Sequence, residues 1–161
     1  MDAKVLVTQG MCPLAQRVAR LLPAATVLFG SADDLPEVLL RTGNYLKLPQ
    51  PDNPAFVHEV LKRCLDSEVQ LLIPLGLDEL YPLAAVRPLF SEYGIAIGVP
   101  TPMELDNLVV VQNPPKAHPL LILQDGRELA AGAGGTSHGA LSGVFTPLDS
   151  GEGLALCCVG G

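Results

Sequence analysis

Over its first two thirds, the chain alternates two rhythms of apolar residues. Short apolar runs in "AKVLVTQG", "ATVLFGSADD", "NYLKLPQP", "VQLLIPLG" and "IAIGVP" have the length and β-branched content of buried strands. Between them lie stretches of helical spacing. In "PLAQRVARLL", Leu14, Val18, Leu21 and Leu22 share one face and Gln16, Arg17 and Arg20 the other, with Pro13 suited to the first helical position and Cys12 to the N-cap. A second helix is expected from Pro54, capped by Asp52 or Asn53, with Phe56, Val57, Val60, Leu61, Cys64 and Leu65 in helical register. "LDELYPLAAVRPLFSEYG" reads as another, bent near Pro82 or Pro88 and ended by Gly94. Thr101, Pro102 and Glu104 form a capping box at the start of the next. Strands and helices in alternation imply an open parallel α/β sheet of five strands with helices on both faces.

From about Leu108 the rhythm changes. "LVVVQNPPKAHP" reads as a strand running into a proline linker over residues 112–119, and the remainder of the chain alternates short apolar runs with Gly, Ser and Asp turns. Asp125 and Gly126 make a hairpin turn. The expectation is an α/β domain over residues 1–108 and a small antiparallel β-rich extension of three or four strands over residues 109–161.

The segment "VLVTQGMCPLAQRVARLL" raises the first chemical question, because a strand, a tight turn and a helix in this order open most nucleotide-binding α/β folds. A dinucleotide turn carries G-x-G-x-x-G or A, whose middle glycine lets the pyrophosphate approach the backbone. Against that pattern this chain sets Gly10, Cys12 and Ala15. Cysteine puts a Cβ where the phosphate would lie, and Pro13 removes an N–H from the helix terminus that would hold it. The turn is expected to keep its shape without the phosphate cradle, although Asp33 or Asp34 stands where a ribose-binding acid would.

Composition narrows the partners. With ten Lys and Arg against 17 Asp and Glu in 161 residues, a net charge of -7 and no basic run, the chain is not built to neutralise a phosphate backbone. No apolar stretch reaches the roughly 18 residues that cross a bilayer, and the start "MDAKVLV" carries an acid where a secretory leader would be basic. The cytoplasm is the expected compartment. Cys12, Cys64, Cys157 and Cys158 form no C-x-x-C pair, as reduced thiols there would not. Cys157 and Cys158 are neighbours on an expected strand, so they point to opposite faces. His58, His118 and His138 fall on separate elements with no metal-ligand spacing.

Four phrases, "KVLVTQG" with its helix, "KLPQPDNPAFVHEVLKRC", "VQLLIPLGLDELYPLAAVRPLF" and "GIAIGVPTPMEL", resemble in order and spacing the preATP-grasp domain of carbamoyl-phosphate synthetase-like and carboxylate-amine ligase-like proteins. The likeness covers roughly residues 3–108. It implies a Rossmann-like sheet that contributes substrate-side or interface surface while a following ATP-grasp module binds ATP. The chain departs from the family pattern after that point. "AAGAGGTSHGALSGVF" echoes a glycine flap, but Lys116 stands alone and only Asp149 and Glu152 remain as magnesium ligands. Phosphoryl transfer rests on positioning and metal electrostatics, so ATP and magnesium are expected only through a partner ATP-grasp protein.

Site candidates arise from the fold class. In a doubly wound sheet the loops after the first and fourth strands flank the crevice where strand order reverses. That would set Gly76, Asp78 and Glu79 across from Gly10, Met11 and Cys12, with Asp33 beside them. The two acids equally suit the first turn of a helix, where the dipole favours carboxylates. Cys12 has two readings, a thiol activated at a helix N-terminus and a small packing cap, and the second is favoured because no base is near in sequence. The loop "GAGGTSHG" at residues 132–139 is either a nest of N–H groups or a plain connection, the latter favoured. The leading expectation is a non-catalytic preATP-grasp-like binding or assembly module, beside an ATP-grasp ligase partner or as a homodimer paired through "LALCCVGG". The alternatives are a small nucleotide- or carboxylate-binding sensor or enzyme using the crevice, and a truncated ligase fragment.

Overall fold

The computed structural model describes residues 3–129, 139–148 and 153–160. Five parallel strands form the first sheet: β1 (Lys4–Val7), β2 (Thr26–Ser31), β3 (Tyr45–Lys47), β4 (Leu71–Ile73) and β5 (Ala96–Ile97). Their order is β3-β2-β1-β4-β5, so the chain winds away from β1 on one side and then restarts on the other. Val5 sets the register, opposite Val27 in β2 and Leu71 in β4. Because side chains alternate along a strand, Leu6 enters one apolar layer while Val5 and Val7 enter the other. Helix α1 (Pro13–Arg20) covers the second layer with Leu14, Ala15 and Val18. Helices α3 (Phe56–Asp66), α4 (Leu77–Ala85) and α5 (Arg87–Glu92) cover the first with Phe56, Val60, Leu83 and Phe90. The expected parallel sheet with helices on both faces is therefore present.

Local details differ from the sequence reading where backbone hydrogen bonding decides. Cys12 is the N-cap of α1 and Pro13 its first residue. The helix α3 begins at Phe56, not Pro54, because Asn53 Oδ1 accepts the Ala55 N–H at 2.8 Å and holds a turn before it. The long helix is two helices separated at Val86. Pro88 lacks the N–H that a continuing helix needs and its ring crowds the preceding turn, whereas Pro82 is tolerated inside α4. Gly94, at φ +77, turns the chain after α5. A short helix, α2 (Glu37–Arg41), buries no residue and so left no apolar periodicity to read. In α6 (Pro102–Asn107) the capping box is complete: Thr101 Oγ1 accepts the Glu104 N–H at 3.2 Å and Glu104 Oε1 accepts the Thr101 N–H at 2.9 Å.

The second sheet has five strands: β6 (Val109–Gln112), β7 (Leu121–Gln124), β8 (Arg127–Glu128), β9 (Gly143–Pro147) and β10 (Leu154–Cys158), in the order β6-β10-β9-β7-β8. It is larger than expected and mixed, since β6 and β10 run parallel. The chain returns at its far end to lie beside β6 instead of folding back on it as a hairpin. Asp125 and Gly126, both at positive φ, form the mirror-image turn that two-residue hairpins favour, pairing Gln124 with Arg127.

The two sheets share one interior. Ile122, Val144 and Cys157 belong to the layer under α1, and Leu123, Phe145, Leu156 and Cys158 to the layer under α3 and α4. Cys157 and Cys158 thus face opposite layers. Past β10, Val159 bonds to the chain beyond β4, donating to Leu75 O at 2.7 Å and accepting the Leu77 N–H at 3.0 Å. Leu154–Cys158 of "LALCCVGG" is consequently not a pairing edge: β10 is interior and buried, and among the described residues the edges are β6 and β8. Nor is the proline stretch a loose linker. Arg17 donates to Pro114 O at 2.8 Å and His118 O at 2.6 Å, and Asn113 N–H donates to Cys158 O at 2.8 Å. Among the described residues no helix is long and apolar enough to cross a membrane.

Candidate functional site

Strand order reverses between β1 and β4, and ligands of such sheets lie beyond the carboxyl ends of the strands at that place. Here the two strand ends are joined by a buried polar clasp. The Thr8 hydroxyl accepts the Leu75 N–H at 2.8 Å and donates to Glu79 Oε2 at 2.5 Å. The same oxygen accepts the Gly76 N–H at 3.1 Å, so the third residue of α4 bonds back to its N-cap backbone. Glu79 is only 2% exposed. Burial pushes its pKa above the usual carboxylate range and neighbouring Asp78 adds to the rise, while the bonds from Thr8 and Gly76 oppose it. A Cβ on Gly76 would stand 2.7 Å from Gln9 Nε2 and 3.0 Å from Glu79 Oε2, so a larger residue here would displace the Gln9 side chain and press on the clasp.

Above the clasp is a cavity of about 330 Å³. Gln9, Cys12, Ala32, Asp33, Gln50, Pro51, Gly76, Leu77, Asp78, Glu79, Val159 and Gly160 line it. Five of the residues singled out from sequence therefore converge: Cys12, Asp33, Gly76, Asp78 and Glu79. Gly10 and Met11 do not. Gly10 is a packing glycine, with room for a Cβ denied by Phe29 Cβ at 2.6 Å and its N–H given to Gly30 O at 2.8 Å. Met11, 49% exposed, belongs instead to a second cavity on the α1 side of the Cys12 turn. Of the two acids after β4, Glu79 takes the helix-capping role, and Asp78 is exposed at the cavity like Asp33.

Two N–H groups of the turn after β1 are engaged within the chain. Gly10 N–H is held by Gly30 O and Cys12 N–H by Gln9 O at 2.9 Å, so these donors point into the protein's own backbone. Burial, and then the nearby charge of Asp33, push the Cys12 thiol up from its ordinary pKa, which favours the neutral packing cap over the activated nucleophile. Burial likewise raises Cys64 to about 12 and Cys157 to about 11. The cavity's character is acidic: three carboxylates, the carboxamides of Gln9 and Gln50 and one thiol line it, and among the described residues no Lys or Arg does.

Thr8, Gln9, Gln50, Val159 and Gly160 were not singled out from sequence. Thr8 had a signal, a polar residue closing an apolar strand. Gln9 is brought to the cavity by a backbone at φ +54, and Val159 and Gly160 by a contact spanning most of the chain, neither of which leaves a local mark. His58 is exposed and His118 half-buried. Among the described residues no group of three or more His, Cys, Asp and Glu stands where it would hold a metal ion. His138, Asp149, Glu152 and residues 132–138 of the glycine loop lie outside the described residues. Compared with models of known protein families and with curated proteins, the chain matches none, and the preATP-grasp resemblance rests on the four sequence phrases alone.

Proposed function

We propose that the chain is a binding module that captures a small ligand through a cationic group, a primary amine or a guanidinium, in the acidic cavity beside β1 and β4. One observation carries this reading: Asp33, from just past the end of β2, and the neighbours Asp78 and Glu79, from the start of α4, meet on a cavity that no described cation lines. Carboxylates at short range repel an entering oxyanion and attract an ammonium, so a nucleotide phosphate or a ligand carboxylate does not fit there. The side-chain carbonyls of Gln9 and Gln50 offer further acceptors for N–H groups. Within the preATP-grasp resemblance, such a module lends the substrate side of a ligase site, and ATP and magnesium come with a separate ATP-grasp partner. Its compartment on this reading is the cytoplasm, where its four free thiols stay reduced.

The test is thermal unfolding of the chain at low salt with putrescine, arginine, malonate and magnesium-ATP in turn. An amine at a hundred times its Kd would stabilise the fold by about 2.7 kcal/mol, and the double variant Asp33→Asn/Asp78→Asn would lose that response. Amines without effect, or an effect that survives in the double variant, would sink the proposal.

A second reading, assembly, has separate support in β6. This edge strand leaves Val109 54% and Val110 37% exposed, and an open edge presents unpaired backbone groups to another chain. A homodimer joined along β6 would show twice the chain mass in sedimentation and become monomeric in Val110→Lys. A monomer at all concentrations leaves an ATP-grasp partner as the occupant to seek.

A further inference from the structure

The second cavity, of about 740 Å³, lies between the flank of α1 and the loop that follows β6. Its chemistry is the reverse of the first. Arg17, Arg20 and Lys116 line it together with Asn113, and among the described residues no carboxylate does. The chain has ten Lys and Arg and a net charge of -7, so gathering these cations on one concave surface runs against its overall balance. Four other cations, Lys4, Arg41, Lys47 and Arg87, have carboxylates within ion-pair distance, and among the described residues Arg17, Arg20 and Lys116 have none.

Arg17 is held in place without being neutralised. Its Nη1 and Nη2 groups donate to the carbonyls of Pro114 and His118, at 2.8 and 2.6 Å. Carbonyls orient a guanidinium but bring no negative charge, and the remaining N–H donors of the fork stay available for an oxyanion. The bonds also fix the loop that carries Lys116, so Arg17 and Lys116 face one cavity from two directions. Arg20 stands one helical turn beyond Arg17 on the same side of α1.

We propose that this cavity binds a small oxyanion, a phosphate or carboxylate group, held by Arg17, Arg20 and Lys116 along the side of α1. The site is distinct from the glycine turn, where the Gly10 and Cys12 N–H groups bond to Gly30 O and Gln9 O. It is also independent of the cationic ligand proposed for the acidic cavity. Cys12 lines both cavities, so a single dipolar molecule lying across the Cys12 turn would place its anionic end here and its cationic end there.

The experiment is a titration of the full chain at low ionic strength with inorganic phosphate and, separately, malonate, followed through backbone amide shifts. Saturable shifts at Arg17, Arg20 and Lys116 that weaken as sodium chloride is added are the expected result. A response to phosphate but not malonate assigns a phosphate ligand, and the converse a carboxylate. Arg20→Gln/Lys116→Gln changes only exposed side chains and should weaken binding about tenfold with the rest of the spectrum unmoved. Asp33→Asn/Asp78→Asn, which removes acids of the other cavity, should leave the anion affinity undiminished, so the two proposals fail separately. Shifts that rise linearly without saturation, or an unaltered affinity in Arg20→Gln/Lys116→Gln, would overturn the site.

Discussion

The two cavities that flank the Cys12 turn are built on the same device and end with opposite charge. On the β4 side, one buried carboxylate, Glu79, ties β1, β4 and α4 together through Thr8 and Gly76. On the α1 side, one half-buried cation, Arg17, ties the helix to the Pro114 and His118 carbonyls. Each is first a fastener of backbone, and each leaves its sign on the space beside it. The difference lies in depth. Glu79 is withdrawn from water, so its partners have no substitute, whereas Arg17 is itself half-buried and spans from buried Pro114 to half-buried His118. An ionic side chain recruited for architecture can therefore set the polarity of a binding site.

That contrast can be broken most forcefully at its buried end. Glu79→Ala strands the Thr8 hydroxyl and the Gly76 N–H in the interior and leaves a void, and should lower unfolding stability in urea by about 3 kcal/mol. A loss under about 1 kcal/mol would mean that the clasp does not hold the strand ends together. Arg17→Ala should cost less, about 1 to 2 kcal/mol, because Arg17 is only half-buried and its partners are neutral carbonyls. If it costs more than Glu79→Ala, the ranking by depth is wrong.

A finer probe is the pH dependence of Glu79. Its folded pKa lies above 4.5, its ordinary value, so the folded chain binds this proton more tightly than the unfolded chain. The contribution to stability is fully present below the unfolded pKa and is lost as pH rises through the folded one. The stability of the natural chain relative to Glu79→Gln should accordingly fall as pH is raised from about 4 to 8, with the other carboxylates cancelling in the difference. A flat difference would show that burial does not perturb this carboxyl. Smallest is the effect at the shared wall. Cys12 should react with a disulfide reagent more slowly than free cysteine at neutral pH, and Asp33→Asn should raise the rate only about twofold to threefold. Reaction faster than free cysteine would restore the nucleophile reading of Cys12.

Features that depend on neighbours a few positions apart were largely legible in the sequence. Apolar runs and helical spacing predicted the parallel sheet and its principal helices. Thr101 and Glu104 predicted a capping box, Asp125 and Gly126 a hairpin, and Cys12 with Pro13 the start of α1, because these are local bonding patterns with local signatures. The acids after β2 and β4 were legible as cavity residues through the topology alone. Tertiary structure alone decided the rest. The proline stretch is fastened because Arg17 reaches across from α1, β10 is interior because the chain returns to lie between β6 and β9, and Val159 closes the acidic cavity by bonding beyond β4. Such contacts join residues far apart in sequence, and at one end each requires only a carbonyl, an N–H or a methyl group. Almost every residue carries the first two, so no residue type announces them. The separation of acids into one cavity and cations into its neighbour has the same origin: it depends on which loops meet around Cys12, and is invisible in a chain whose charges are spread along its length.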